Sequence, residues 1–146
     1  MESYNAANVI NGTYGEAWLD DEYMAEVTGL EAKTSLKKTD VNMVRRLSPG
    51  KKITGIENKG TVKLNHVRSY MKKKVADAVK SGKTPTFTLI SKLADPDSIN
   101  AQAERIKFTG VTFDEVTLAD WENGKLGEES YPFEYEDFEF LDMINA

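Results

Sequence analysis

One histidine, no cysteine and twenty-four carboxylates are what this 146-residue chain offers for chemistry. Acid–base, nucleophilic and metal-assisted catalysis each need particular residue types at particular spacings. His66 stands alone beside a predicted helix start, where a single histidine reads as structural rather than as a base or ligand. Without cysteine there is no thiolate nucleophile, disulfide framework or sulfur ligand, and one histidine gives a transition metal almost nothing to bind. The acids lack the D-x-D-x-D-G spacing of a calcium loop. Paired carboxylates can cleave a glycosidic bond, but here acids crowd whole segments and nothing singles out two of them. Ser69 and Ser130 have no recognisable base partner. Neither a GxGxxG nor a P-loop pattern occurs, and the run Lys72, Lys73, Lys74 is too short to read as a nucleic-acid site. The prediction is a protein that is not an enzyme, with no catalytic, cofactor-binding or metal-binding residues and no cofactor.

What the chain has instead is segregated charge. The net charge is −5, which argues against general nucleic-acid affinity. Residues 2–32 hold seven acids and no Lys or Arg; residues 33–83 hold fifteen Lys and Arg against Asp40, Glu57 and Asp77. From Asp114 onward eleven carboxylates face one cation, Lys125. A single charge run is usually a solvated face. Blocks of alternating sign in one small chain suit copies that meet head to tail, basic surface against acidic surface. Residues 104–144 combine the densest aromatic run with the most acid, so this stretch calls for a partner of opposite charge.

The elements that must carry these charges read as strands. The length suits a single domain over 1–146. Residues 1–13, interrupted by Asn5, Asn8, Asn11 and Gly12, are expected to be a flexible N-terminal arm. Strands are predicted at 14–19, 22–37, 53–64, 84–93, 105–113, 116–121 and 126–140. Asp20-Asp21 and Asn123-Gly124 are turn signals. The apolar phase shifts at Gly29, at Gly110 and near Asp137, as bulges or bends would require. Asn58 and Gly60, at inward phase, suggest a bend or a close backbone approach. One helix is predicted over 67–81, with Val67, Tyr70, Met71, Val75, Ala78 and Val79 inward, Asn65 as N-cap and Gly82 just past its end. The expected fold is mainly β (α+β): an antiparallel β-sandwich or partial barrel with one flanking α-helix.

Residues 38–52 are expected to form an extended arm loop, basic and without a clean period. Its apolar Val41, Met43, Val44 and Leu47 either fold back on the core or pack into a neighbouring subunit. With Arg45 and Arg46 they are the candidate subunit-interface residues. No run approaches a membrane span, and the N-terminus lacks the apolar core of a cleaved secretion signal.

Several segments together resemble a known family. They are NVINGTYGEAWLD followed by MAEVTGLEAK, then GTVKLNHV leading into the lysine-rich helix, then PTFTLISKLADPDS and ERIKFTGVTFDEVTLADWENGKLGEESYPFEYEDFEFLD. Their wording, over about residues 8–144, is similar to tail-tube proteins of contractile-tailed phages and prophages of Gram-positive bacteria and of the related phage-tail-like bacteriocins. The resemblance implies six copies in a ring, their sheets joined edge to edge around a lumen, and rings stacked into a tube inside a contractile sheath. It implies a tube pushed through the target envelope that conducts DNA or ions without binding them specifically. Its partners would be further copies of itself, the sheath protein, and baseplate and tail-terminator proteins. It would be made in the bacterial cytoplasm and reside in a virion or phage-tail-like particle. The family has no known catalytic residues. The alternative from another class is a soluble β-barrel module that binds a small ligand or peptide.

Overall fold

The computed structural model describes residues 4–145. Of the arm expected over 1–13, residues 1–3 lie outside the described residues. Residues 4–13 make two capped turns. Asn5 caps a 3-10 turn, Ala6–Asn8, and Asn11 caps a second, Gly12–Tyr14. The Asn8 side chain donates to the Asp97 carbonyl at 3.1 Å, and the Asn11 N–H donates to the Asp95 carboxylate at 2.9 Å. The asparagines that interrupt any period in the sequence are the residues that satisfy the free N–H groups of these turns.

Eight strands follow: β1 (Gly15–Leu19), β2 (Glu22–Tyr23), β3 (Val27–Val41), β4 (Gly50–Asn65), β5 (Phe87–Leu93), β6 (Glu104–Phe113), β7 (Glu128–Glu134) and β8 (Asp137–Asp142). All pairings are antiparallel. The path runs β2-β1-β5-β6-β7-β4-β3, with β8 added beside β6. The sheet does not close: β1 and β3 approach each other but share no ladder. The Asp20-Asp21 turn has positive φ at both residues (48° and 68°), as a tight two-residue hairpin requires. This much matches the mainly β, α+β expectation.

β6 serves both layers. Residues 105–109 pair with β8, and Thr112 and Phe113 pair with β7. Between them lies Gly110, at φ 65°, opposite a register shift in β5. A left-handed residue lets the strand bend out of one layer into the other. The core lies between the layers. It includes Ala17 and Leu19 of β1, Val62 and Leu64 of β4, Phe87 and Leu89 of β5, Phe108 and Val111 of β6, and Tyr131 and Phe133 of β7. Gly60 sits under Phe133 so closely that a Cβ would fall 2.5 Å from its ring. The close approach expected at that glycine is there.

Four expectations need correction. The helix is shorter than 67–81: α1 spans Tyr70–Lys80, its N-cap position is Ser69 without a side-chain bond, and Asn65 instead ends β4. Met71 and Val75, four residues apart, anchor it to the core, while Val67 and Val79 are exposed. Gly82, at φ 75°, ends it as expected. Residues 116–121 form no strand. The chain from 114 to 127 is irregular, so the Asn123-Gly124 turn joins no hairpin. The strand expected over 22–37 divides into β2 and β3, and the one over 126–140 into β7 and β8, broken at Tyr135–Glu136. Finally, 38–52 is not a loop. β3 and β4 extend through it, with Val41 paired to Gly50, so only residues 42–49 turn.

Candidate functional site

Side chains that could do chemistry do not converge. Among the described residues no group of three or more His, Asp or Glu is placed to hold a metal. His66 meets Glu129, its Nδ1 lying 3.2 Å from the carboxylate. Glu129 is buried, its side chain 2% exposed, and also accepts from the Tyr131 hydroxyl at 3.0 Å, with the Lys72 ammonium 3.9 Å away. This cluster fastens α1 and the end of β4 to β7. Burial beside a carboxylate pushes the Tyr131 phenol well above its ordinary pKa, and burial pushes Tyr70 up to about 12. On the other side of α1, Arg68 forks onto Glu26, lies over the Tyr70 ring at 4.5 Å, and holds the Glu26 carboxyl below its usual range. The Lys74 ammonium reaches Glu22 at 3.5 Å.

The surfaces that stand out are exposed and lie at two ends of the molecule. The first is the end of the β3–β4 hairpin. β4 pairs with β7 only from Lys59 to Asn65, so from Thr34 and Asn58 outward β3 and β4 have only each other as ladder partners. Thr34 bonds to Asn58 (2.9 Å) and to the Tyr135 hydroxyl (3.0 Å) where the ribbon leaves the body. Beyond this point Leu36, Ile53 and Ile56 are exposed on a two-stranded ribbon. At its tip Val44 is 90% exposed and Leu47 fully so; Val41 and Met43 are exposed too, although Met43 packs against Gly50. Arg45 and Arg46 lie between them, exposed and, among the described residues, without an ion pair. All six candidate interface residues are thus gathered on one tip. The fold-back alternative fails for Val41, Val44 and Leu47, none of which reaches the core.

The second surface is the irregular stretch 114–127. Leu118 is exposed, Trp121 is 85% exposed and Leu126 is 94% exposed. Of the aromatic run, Phe108, Tyr131, Phe133 and Tyr135 are buried in the core, whereas Trp121, Phe138 and Phe140 are exposed, the last two on β8 opposite Phe108 and Ile106 of β6. The stretch is held by its edges: the His66 N–H donates to the Gly127 carbonyl at 2.9 Å, and the Lys72 ammonium donates to the Leu118 carbonyl at 3.1 Å. In the sequence this surface is marked only by its acidity and by an alternation of Val116 and Leu118 that mimics a strand.

A third feature is a slot of about 490 Å³ at the seam between β1 and β3, lined by Gly15, Glu16, Val27, Gly29, Lys92 and Leu93 among others. Its size would admit a small ligand.

The acidic last third is left largely unneutralised by its own chain. Among the described residues one Lys or Arg ion pair joins it to the basic block 33–83, Lys72–Glu129, and the His66 ring meets the same carboxylate. The other pairs of the block are local or reach the N-terminal third, as Lys51–Asp40, Lys59–Glu57 and Arg68–Glu26 do.

The chain resembles known proteins over almost its whole length. The sequence pattern of a family described as "Phage tail tube protein" matches residues 2–142. The phage-like element PBSX protein XkdM of Bacillus subtilis (strain 168) is 36% identical over 141 residues, covering 96% of this chain and 95% of that one. Among solved structures, the tube-terminating cap of the anti-feeding prophage superposes with a TM-score of 0.74 at 7% identity, covering 97% of each chain. A chain of the PVC sheath–tube complex, from an extracellular contractile injection system in its extended state, gives 0.69 at 8% identity, covering 97% of this chain and all of that one. At such identities the likeness is one of fold.

Proposed function

The chain belongs to the phage tail tube family, and from that premise we propose that it is the structural subunit of the inner tube of a contractile phage tail or phage-tail-like particle. A family of structural tail proteins leaves no catalytic role to assign. Six copies form a ring, rings stack into a hollow tube, and the tube conducts DNA or ions through the target envelope. Its partners are other copies of itself, the surrounding sheath, and the baseplate and terminator at the two ends.

The observation that carries this reading is the β3–β4 ribbon, which extends past its own body with apolar side chains uncovered. An isolated two-stranded ribbon is marginal in water, and an exposed apolar tip marks a surface meant for contact. Open sheet edges support it as well. β3 and β8 each have an unpaired side, a hazard in a monomer that joining neighbouring copies removes. Head-to-tail contacts give rings when the rotation closes and filaments when it does not, and a tube uses both. Carboxylates that find no cation in the chain give a lumen a wall that repels phosphate during passage.

Electron microscopy of the purified protein tests the proposal. Rings or hollow fibres are expected, with a large scattering species at moderate concentration. A strict monomer in every condition, with saturable binding of a small ligand in the β1–β3 slot, would favour the binding-module alternative.

A further inference from the structure

The two exposed surfaces sit at opposite poles of one strand. β4 begins at the ribbon tip, where Gly50 pairs with Val41, and ends at Asn65. The next residue, His66, holds Gly127 by its backbone. β4 has sixteen residues; at a rise of about 3.3 Å each, roughly 50 Å of strand separates the tip from the 114–127 surface. The two cannot meet within one chain.

They are nevertheless complementary. Residues 34–58 carry six Lys and Arg against Asp40 and Glu57, and both acids are already paired within the ribbon's own end of the sheet. Residues 114–128 carry five acids against Lys125, which pairs with Glu122. Each surface also presents uncovered apolar side chains beside its charges: Val44 and Leu47 at the tip, Leu118, Trp121 and Leu126 on the other. Arg and Trp are the residue types that dominate contact energies, and a guanidinium stacks well on an indole face. The other acidic aromatic surface, β8, pairs with residues 105–109 of β6, across the Gly110 bend from this pole.

The geometry points to a specific axial contact: the Val44–Leu47 tip of one copy seats on the 114–127 surface of a second copy, with Arg45 and Arg46 against Asp120, Glu122 and the Trp121 ring. The inference rests on the tube-subunit reading and deepens it. It names the two surfaces that join successive rings and makes the joint heterologous, so stacking has a direction and continues without closing.

Charge exchange tests it. Arg45→Glu with Arg46→Glu should leave the circular dichroism spectrum and Tm near those of the wild type and abolish sedimentable polymer. Asp120→Arg with Glu122→Arg should do the same. A chain carrying all four changes restores the pairing with its sign reversed and should polymerise again. Either pair of changes polymerising like the wild type would overturn the contact, as would failure of the fourfold chain to polymerise while folded. In both cases wild-type tubes would still uphold the tube-subunit reading, whereas a wild type that forms neither rings nor fibres would remove that reading itself. A second measurement does not depend on charge. The chain has no cysteine, so Leu47→Cys with Leu126→Cys in assembled tubes, treated with a short bis-maleimide, should give a ladder of multimers on denaturing gels. A ladder absent from assembled tubes counts against the contact.

Discussion

Gly60 leaves no room for even one more carbon. A Cβ there would lie 2.4 Å from the Glu31 carbonyl and 2.5 Å from the Phe133 ring, and neither the β3 backbone nor a fully buried ring can move aside cheaply. Gly60→Ala should therefore cost about 1–3 kcal/mol, read as a lower denaturation midpoint at unchanged m-value. A midpoint equal to the wild type would show that the layers are looser than described. Glu26 carries a different dependence. Its hydrogen bonds from Arg68 favour the charged carboxylate, so its folded pKa lies below the reference value of 4.5. The group thus contributes stability above its unfolded pKa, and the contribution fades as pH falls through the folded value. Glu26→Gln should lower Tm at neutral pH, and the gap should narrow as pH falls through the lowered folded pKa and wild-type Glu26 is itself protonated. Thermal melts across that range check the sign; a constant gap would mean that the amide costs packing rather than charge. Neither effect was fully legible in sequence. Gly60 stood out by its phase within an inward-facing set, whereas the Arg68–Glu26 fork joins residues 42 apart, through a strand end and a helix start whose positions had to be known first.

At the scale of elements, the ribbon and the body obey different rules. Replacing Val41, Met43, Val44 and Leu47 together by Ser should leave the domain folded, since none belongs to the buried core, and should stop polymerisation. Loss of folding would show that the ribbon supports the body. That independence also explains what the sequence concealed. Strands show alternation because one face is buried. Residues 38–41 and 50–52 pair as regular strands yet bury neither face, so they alternate nothing and read as a loop. The opposite error arose at 116–121, where Val116 and Leu118 alternate with polar residues. Val116 packs on the core, but Leu118 faces out and no strand pairs there. Signals that depend on backbone conformation alone were more faithful. Gly110 has the left-handed φ that a bend needs, the β3 register shifts between Val27 and Gly29, and Gly82 ends α1. The helix start was misjudged because Val67 looks like the first inward residue, yet the chain is still turning past His66 at that point.

For the whole molecule, charge segregation was plain in the sequence, but its geometry was not. The three blocks could have cancelled within one chain. Instead the fold places a basic tip and an acidic surface at opposite ends of β4, and among the described residues Lys72–Glu129 is the one ion pair between the Lys and Arg of the basic block and the last third. Assembly that relies on such surfaces weakens when salt screens them. Raising ionic strength from about 0.05 to 0.5 M shortens the screening length from roughly 14 to 4 Å, so polymer growth followed by light scattering should slow markedly, while the Tm of the unassembled subunit changes little. Growth indifferent to salt would place the association energy in apolar contacts alone. The antiparallel β4–β7 ladder, finally, has a mechanical consequence. If the tip is anchored in one neighbour and the opposite end in another, tension along the particle axis pulls β4 lengthwise against β7. The bonds from Lys59↔Glu134 to Asn65↔Glu128 are then strained together, in shear, instead of parting one after another like a zipper. A subunit strung this way resists stretching with its whole ladder at once, a useful property in a rod that is driven point-first through a cell envelope.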